Sequence, residues 1–279
     1  MPTLAFSTGS LYTYGLSRAF ELAATAGFDA VEVLLDDRWD TRQPSYLQQL
    51  SRETGLPVVA VHSPFVFLVP GWPHDPLGRL RESVALARRV GAGVVVTHLP
   101  LRVRLARLTV AGSRSRPWVA PVFWPTQRDY RRFLLNGLAG FEAEEGVRIG
   151  VENMPAKRFL GRRMNLYALN DLESIAALPH LTLDTTHLGT WGLDPCAAYE
   201  QLRSRIIHVH LSNFNGREHR RPDDGHLPLR QFLHRLVQDE YRGVVSVELD
   251  PEALGAEDEA QVLAHLRRVV HFCRESMGQ

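Results

Sequence analysis

A chain of 279 residues suits one large domain or two small ones, and a (β/α)8 barrel of about 250 residues would use nearly all of it. With 44% hydrophobic and 23% charged residues and a net charge of +1, the composition is that of an ordinary globule. It excludes a bulk field that would draw the chain onto nucleic acid or membrane. Two cysteines, Cys196 and Cys273, exclude a disulfide framework and a Cys-x-x-Cys pair for zinc or redox work.

Met1 to Phe6 shows no basic segment and no long apolar run of the leader kind, and no apolar run approaches membrane-spanning length. The expected location is therefore cytoplasmic, away from membranes. Leu4 to Ser7 reads as the first strand. A helix from Ser17 to Ala26 follows, with Phe20, Leu22 and Ala23 apolar and Gly27 at its stop. Asp29 to Leu35 is the second strand, Ser45 to Thr54 the second helix, and the third strand ends at His62. The helix from Leu77 to Val90 offers Leu80, Val84, Leu86 and Ala87 as a core face, and the fourth strand ends at His98.

The connection from 100 to 127 is long for a loop leaving a strand end, where about 2–6 residues are usual. It carries Arg102, Arg104, Arg107, Arg114 and Arg116, then Pro117, Trp118, Pro121, Phe123, Trp124 and Pro125. That composition favours a substrate-contacting lid, and fits nearly as well an oligomer contact between copies of the chain or a solvated excursion. Arg128 to Glu144 is expected as one helix, and the fifth strand ends at Glu152. A second basic loop holds Lys157, Arg158, Arg162 and Arg163, and a short helix capped at Asn170-Asp171 runs to Ala177. The sixth strand, Leu181-Thr182-Leu183-Asp184, is expected to pass through a short loop to His187. A helix near Pro195–Leu202 precedes the strand ending at His210, Leu229–Asp239 separates it from the strand ending at Glu248, and Glu257–Glu275 is the final helix.

Strand and helix alternate throughout, with no linker or composition break. The expected fold is α/β, a single (β/α)8 TIM barrel over 1–279 with an extended loop after strand 4. A doubly wound open sheet is the alternative. It fits less well because it gathers ligands at one switch point, whereas polar strand ends here run from His62 to Glu248.

Those strand ends share a design: a β-branched run, then a His, Asp or Glu. Side chains alternate along a strand, so Ala60 and His62, Val96 and His98, Gly150 and Glu152, His208 and His210, and Ser246 and Glu248 share faces. If these face the barrel axis, Glu152, Asp184, His210 and Glu248 converge. They would form an oxygen-rich site for Mn, Mg, Co or Zn. A buried, unpaired carboxylate is too expensive to serve packing alone. His62 and His98, on neighbouring strands, could hold a second metal with Glu152 bridging. Each also fits a hydrogen-bonded pocket histidine, as does His187. His208, one pleat deeper than His210, reads as a supporting or packing residue. Glu32 has the right parity and an early position, suited to holding a pocket Arg or Lys. His74, His180, His234, His265 and His271 read as surface residues.

On these residues the chain resembles the xylose-isomerase-like TIM-barrel superfamily, which includes endonuclease IV and many sugar or sugar-phosphate isomerases and epimerases. The resemblance rests on Gly27-Phe28-Asp29-Ala30-Val31-Glu32, His62-Ser63-Pro64, Val151-Glu152-Asn153, Leu183-Asp184-Thr185-Thr186-His187, His210-Leu211-Ser212-Asn213, Gly225-His226-Leu227-Pro228-Leu229, Tyr241-Arg242-Gly243 and Val247-Glu248-Leu249. It implies one divalent ion on Glu152, Asp184, His210 and Glu248, with His187 and a basic residue after His210 touching substrate. The endonuclease-IV-like branch implies further metals on His62 and His98, and on His187 with an Asp-x-His. Asp224-Gly225-His226 reads Asp-x-His but sits several residues late, on the Gly-x-Leu-Pro turn; anchored on Gly225, that slot falls on Arg217-Glu218-His219. An Arg then stands for the Asp, and Arg217 becomes a candidate for an anion or hydroxyl.

The resemblance thus implies a divalent-metal-dependent isomerase or epimerase of a small sugar or sugar phosphate. Catalysis would pass through an enediolate, with Glu152 and Glu248 moving protons and His187, Arg217, His62 and His98 contacting substrate. The alternative is an endonuclease IV-like multinuclear zinc hydrolase of phosphate esters. A DNA substrate would need a basic, aromatic surface, which only the 100–127 loop offers.

Overall fold

The computed structural model describes residues 1–66, 68–108, 118–123, 127–159 and 161–278. Eight parallel strands close into a barrel: β1 (Thr3–Ser7), β2 (Ala30–Leu34), β3 (Val58–His62), β4 (Val94–His98), β5 (Arg148–Glu152), β6 (Leu181–Asp184), β7 (Ile206–Leu211) and β8 (Val244–Val247). The β-branched runs form these strands because their side chains pack on both faces, against the bore and against the helices. β8 returns to β1 with Val244 opposite Thr3, which closes the ring and leaves no edge.

The helices form the outer layer. Leu16–Ala26, Pro44–Thr54 and Pro76–Val90 begin within a residue of the expected positions and stop at Gly27, Gly55 and Gly91, each in the left-handed conformation. Leu80, Val84 and Ala87 are buried against the barrel. No helix of the described residues is long and apolar enough to cross a membrane.

Three local expectations are corrected. The single helix from Arg128 to Glu144 is two, Arg128–Asn136 and Leu138–Glu145, parted at Gly137. The basic loop after β5 is a hairpin, with Lys157–Phe159 antiparallel to Arg162–Met164. No short loop leads from Asp184 to His187. A helix, Thr185–Trp191, starts at once, because the Asp184 side chain caps it by accepting the His187 backbone N–H at 2.8 Å.

The long connection after β4 contains an antiparallel pair, Val103–Leu108 with Trp118–Phe123. Arg114, Arg116, Pro117, Trp124 and Pro125, on which its expected lid role rested, lie outside the described residues.

Register sets the depth of each strand-end side chain. His98 lies opposite Glu152, Asp184 opposite His210, and Ser7 opposite Glu32. Glu152 is level with Thr182, one pleat below Asp184. Gly150 lets β5 and β6 approach, since a Cβ there would collide with the Thr182 hydroxyl.

Candidate metal centre

Glu152, Asp184 and His210 end or nearly end three consecutive strands, β5 to β7, and Glu248 follows β8. They meet at the C-terminal mouth of the bore, where barrel enzymes carry their chemistry. His210 Nδ1 lies 2.8 Å from Glu152 Oε1 and 3.0 Å from Glu248 Oε2. Asp184 Oδ2 is 3.9 Å from the same nitrogen. Asn153 pins Asp184, accepting its backbone N–H at 2.8 Å and donating to its carbonyl at 3.0 Å.

These four side chains fit a divalent cation. One ligand atom from each lies within 4.8 Å of all the others. Glu152 Oε2 and Asp184 Oδ2 are buried with no hydrogen-bond partner among the described residues. Buried polar atoms are nearly always paired, so carboxylate oxygens left without a hydrogen bond and faced only by imidazoles fit a cation. Three carboxylates around one imidazole also carry excess negative charge. Burial and the adjacent Glu152 hold Asp184 well above the usual carboxylate range. Burial acts the same way on Glu152, but His210, joined by His62 and His98, outweighs it and holds that carboxyl well below its ordinary value. Glu248, opposed by burial and favoured by His210, is lowered to about 2. Burial pushes the His210 imidazole down, yet Glu248, Glu32 and Glu152 together raise it well above the ordinary value.

A second convergence lies beside the first. Glu152 Oε2 is 3.1 Å from His98 Nε2 and 3.6 Å from His62 Nε2. His62 Nδ1 is taken by the Ser63 carbonyl at 2.8 Å, which leaves Nε2 to face Glu152. Phe65 stacks on the His98 ring, with centroids 5.6 Å apart.

His187 stands on the third side. Its Nδ1–H donates to the Asn153 carbonyl at 2.8 Å, and burial lowers its pKa to about 4, so the ring is neutral with a free Nε2. That Nε2 is 4.0 Å from Glu218 Oε2, and the His187 and His219 rings meet edge to face at 5.4 Å. Asp184, His187 and His219 are themselves close enough to share an ion. His219, half-buried, lies 3.4 Å from the Ser212 hydroxyl through Nδ1.

Arg217 is not brought into the site. It is exposed and forks onto Glu252, with Nη1 at 2.7 Å from Oε1. The next residue, Glu218, turns inward instead and is braced by Lys157 at 3.0 Å. Glu218 stands between the Arg and the His of that slot, and its inward turn depends on Lys157, which no local run of sequence places beside it. Glu32 faces no Arg or Lys. It is wholly buried between His208 and His210. His180 is half-buried at the other end of the barrel and bound to Glu142, not a free surface residue.

The family model described as a xylose isomerase-like TIM barrel matches residues 20–267. An uncharacterised protein of Mycobacterium leprae is 27% identical over 294 residues, covering 97% of this chain and 96% of that protein. One from Methanocaldococcus jannaschii is 27% identical over 252 residues, covering 84% and 78%. Among solved structures, a D-tagatose 3-epimerase-like protein superposes with a TM-score of 0.64 at 21% identity, covering 98% of each chain. An AP endonuclease, family 2, from Brucella melitensis gives 0.67 at 17% identity, covering 97% of this chain and 99% of that one.

Proposed function

Because the chain belongs to the xylose isomerase-like TIM-barrel family, we propose that it is a divalent-metal-dependent isomerase or epimerase of a small sugar or sugar phosphate. One observation carries the reading: Glu152 and Glu248 flank His210 Nδ1 at 2.8 and 3.0 Å, as the outer members of a four-residue arc. A substrate carbon above that arc is reached by a carboxylate from either side. That is what removing a proton on one face and returning it on the other, or on the adjacent carbon, requires. Glu248 is 17% exposed and Glu152 1%, so Glu248 is the more accessible base and Glu152 the more rigidly held.

Glu152, Asp184, His210 and Glu248 would hold the ion, which when bound acts as a Lewis acid on the substrate oxygens. The chain's own groups do the rest. His187, neutral, presents a free Nε2 for a substrate hydroxyl. Phe65, stacked on His98, gives the mouth an exposed apolar face beside the site. Structures bearing sugar 3-epimerase names are among the chain's neighbours, which fits this substrate class.

A second reading rests on the convergence of His62 Nε2 and His98 Nε2 on Glu152 Oε2. A second ion there would suit phosphate-ester hydrolysis. Metal content of the purified protein, with assays on both substrate classes, separates the two. One ion per chain with sugar turnover and no ester or abasic-site cleavage is expected. Two or three zincs per chain with cleavage would overturn the sugar reading.

A further inference from the structure

His210 supplies the only nitrogen of the four-residue set, and its two ring nitrogens face different surroundings. Nδ1 looks at Glu152 and Glu248, while Nε2 lies 3.1 Å from Glu32 Oε1 across the bore. A neutral imidazole holds one proton, and the group facing one nitrogen decides which nitrogen keeps it. Glu32 comes from β2 and is wholly buried. Its other oxygen, Oε2, takes the Nε2–H of His208 at 2.6 Å, so Glu32 cannot turn away. His208 stands two residues before His210 on the same strand and is equally buried. Its Nδ1 has no hydrogen-bond partner among the described residues, so its role in the bore is to donate to Glu32.

We propose that Glu32, anchored by His208, is a positioning residue for metal binding: it keeps the proton of His210 on Nε2, so that Nδ1 presents its lone pair to the ion. The inference rests on the reading of Glu152, Asp184, His210 and Glu248 as a metal centre. It adds two residues outside the four that would hold the ion, although Glu32, His208 and His210 are themselves close enough to share one. A carboxylate behind a metal-bound histidine fixes the ring and raises its basicity, and losing one typically weakens metal affinity about 10–100-fold. A Gln at position 32 keeps the shape and removes the charge. Its amide can offer a donor where His210 Nε2–H needs an acceptor.

The test has three parts. Cobalt(II) is titrated into apo wild type, Glu32→Gln and His208→Gln under chelator competition, followed by the visible spectrum. Thermal unfolding is recorded for each apo protein. The third part needs no variant: long-range proton–nitrogen correlation on zinc-loaded wild type reports which His210 nitrogen is protonated. Expected are protonated Nε2 with metallated Nδ1, cobalt affinity about 10–100-fold weaker in Glu32→Gln, and a smaller loss in His208→Gln. Protonated Nδ1 would overturn the proposal. So would a folded Glu32→Gln that binds cobalt within about twofold of wild type, against the loss expected for a supporting carboxylate. Wild type that binds no ion would sink the metal-centre reading itself, which separates the two failures.

Discussion

Two Glu–His contacts, each built on a buried Glu, stand at opposite ends of this barrel. At the N-terminal end, Glu142 Oε1 accepts the Ile149 backbone N–H and faces His180 Nδ1 at 2.8 Å. At the C-terminal mouth, Glu152 lies 2.8 Å from His210 Nδ1 and 3.1 Å from His98 Nε2. The residue types and distances match, yet the states differ. Neither oxygen of Glu142 is buried without a partner among the described residues, whereas Glu152 Oε2 and Asp184 Oδ2 are. A satisfied pair holds a strand to a helix. An unsatisfied one is poised for something the chain does not itself contain. Contact alone therefore does not distinguish structure from function in this fold; the unfilled valence does.

The strongest challenge to this contrast is Glu248→Gln. Turnover is expected to fall about 10²–10⁴-fold while the thermal transition stays within a few degrees of wild type. Activity within a few-fold of wild type would remove Glu248 from proton transfer.

The mouth can also be read through protons. Burial and Glu152 raise the proton affinity of Asp184 well above its usual range, and the carboxylates around His210 raise that of the imidazole despite burial. An incoming divalent ion must displace those protons. Its affinity should therefore rise with pH, by up to about tenfold per unit for each proton released. Calorimetry in buffers of differing ionisation enthalpy would count them. A pH-independent affinity would contradict the electrostatic account of the mouth.

At the far end the expectation reverses. Glu142→Ala strands the Ile149 N–H and the His180 imidazole, at about 1–3 kcal/mol of stability. Urea unfolding should show that loss, with turnover per folded molecule unchanged. Equal losses of activity and stability would dissolve the distinction between the two ends.

The smallest effect is expected at Arg217→Ala. Its guanidinium is exposed and paired with Glu252, and such pairs contribute little, so turnover should stay within about twofold. A rise in KM beyond tenfold would mean that the guanidinium leaves Glu252 for the substrate.

The amino-acid pattern determined the barrel and most of its site by itself. Eight alternations of apolar run and amphipathic helix admit few topologies, and period-two alternation puts Glu152, Asp184, His210 and Glu248 on the bore face once the ring closes. The glycine stops at 27, 55 and 91 were legible for the same local reason: only a left-handed residue ends those helices cleanly.

Tertiary structure alone decided the rest. Glu32 and His208 are 176 residues apart, and only closure of the bore puts them 2.6 Å from each other. Whether Arg217 or Glu218 turns inward depended on Glu252 and Lys157, which arrive from other strand ends. That His180 joins Glu142 while His98 joins Glu152 is a matter of which end of the barrel each strand presents. Periodicity assigns a side chain to a face. The identity of its partner is set by closure and register, and no local run of sequence encodes either.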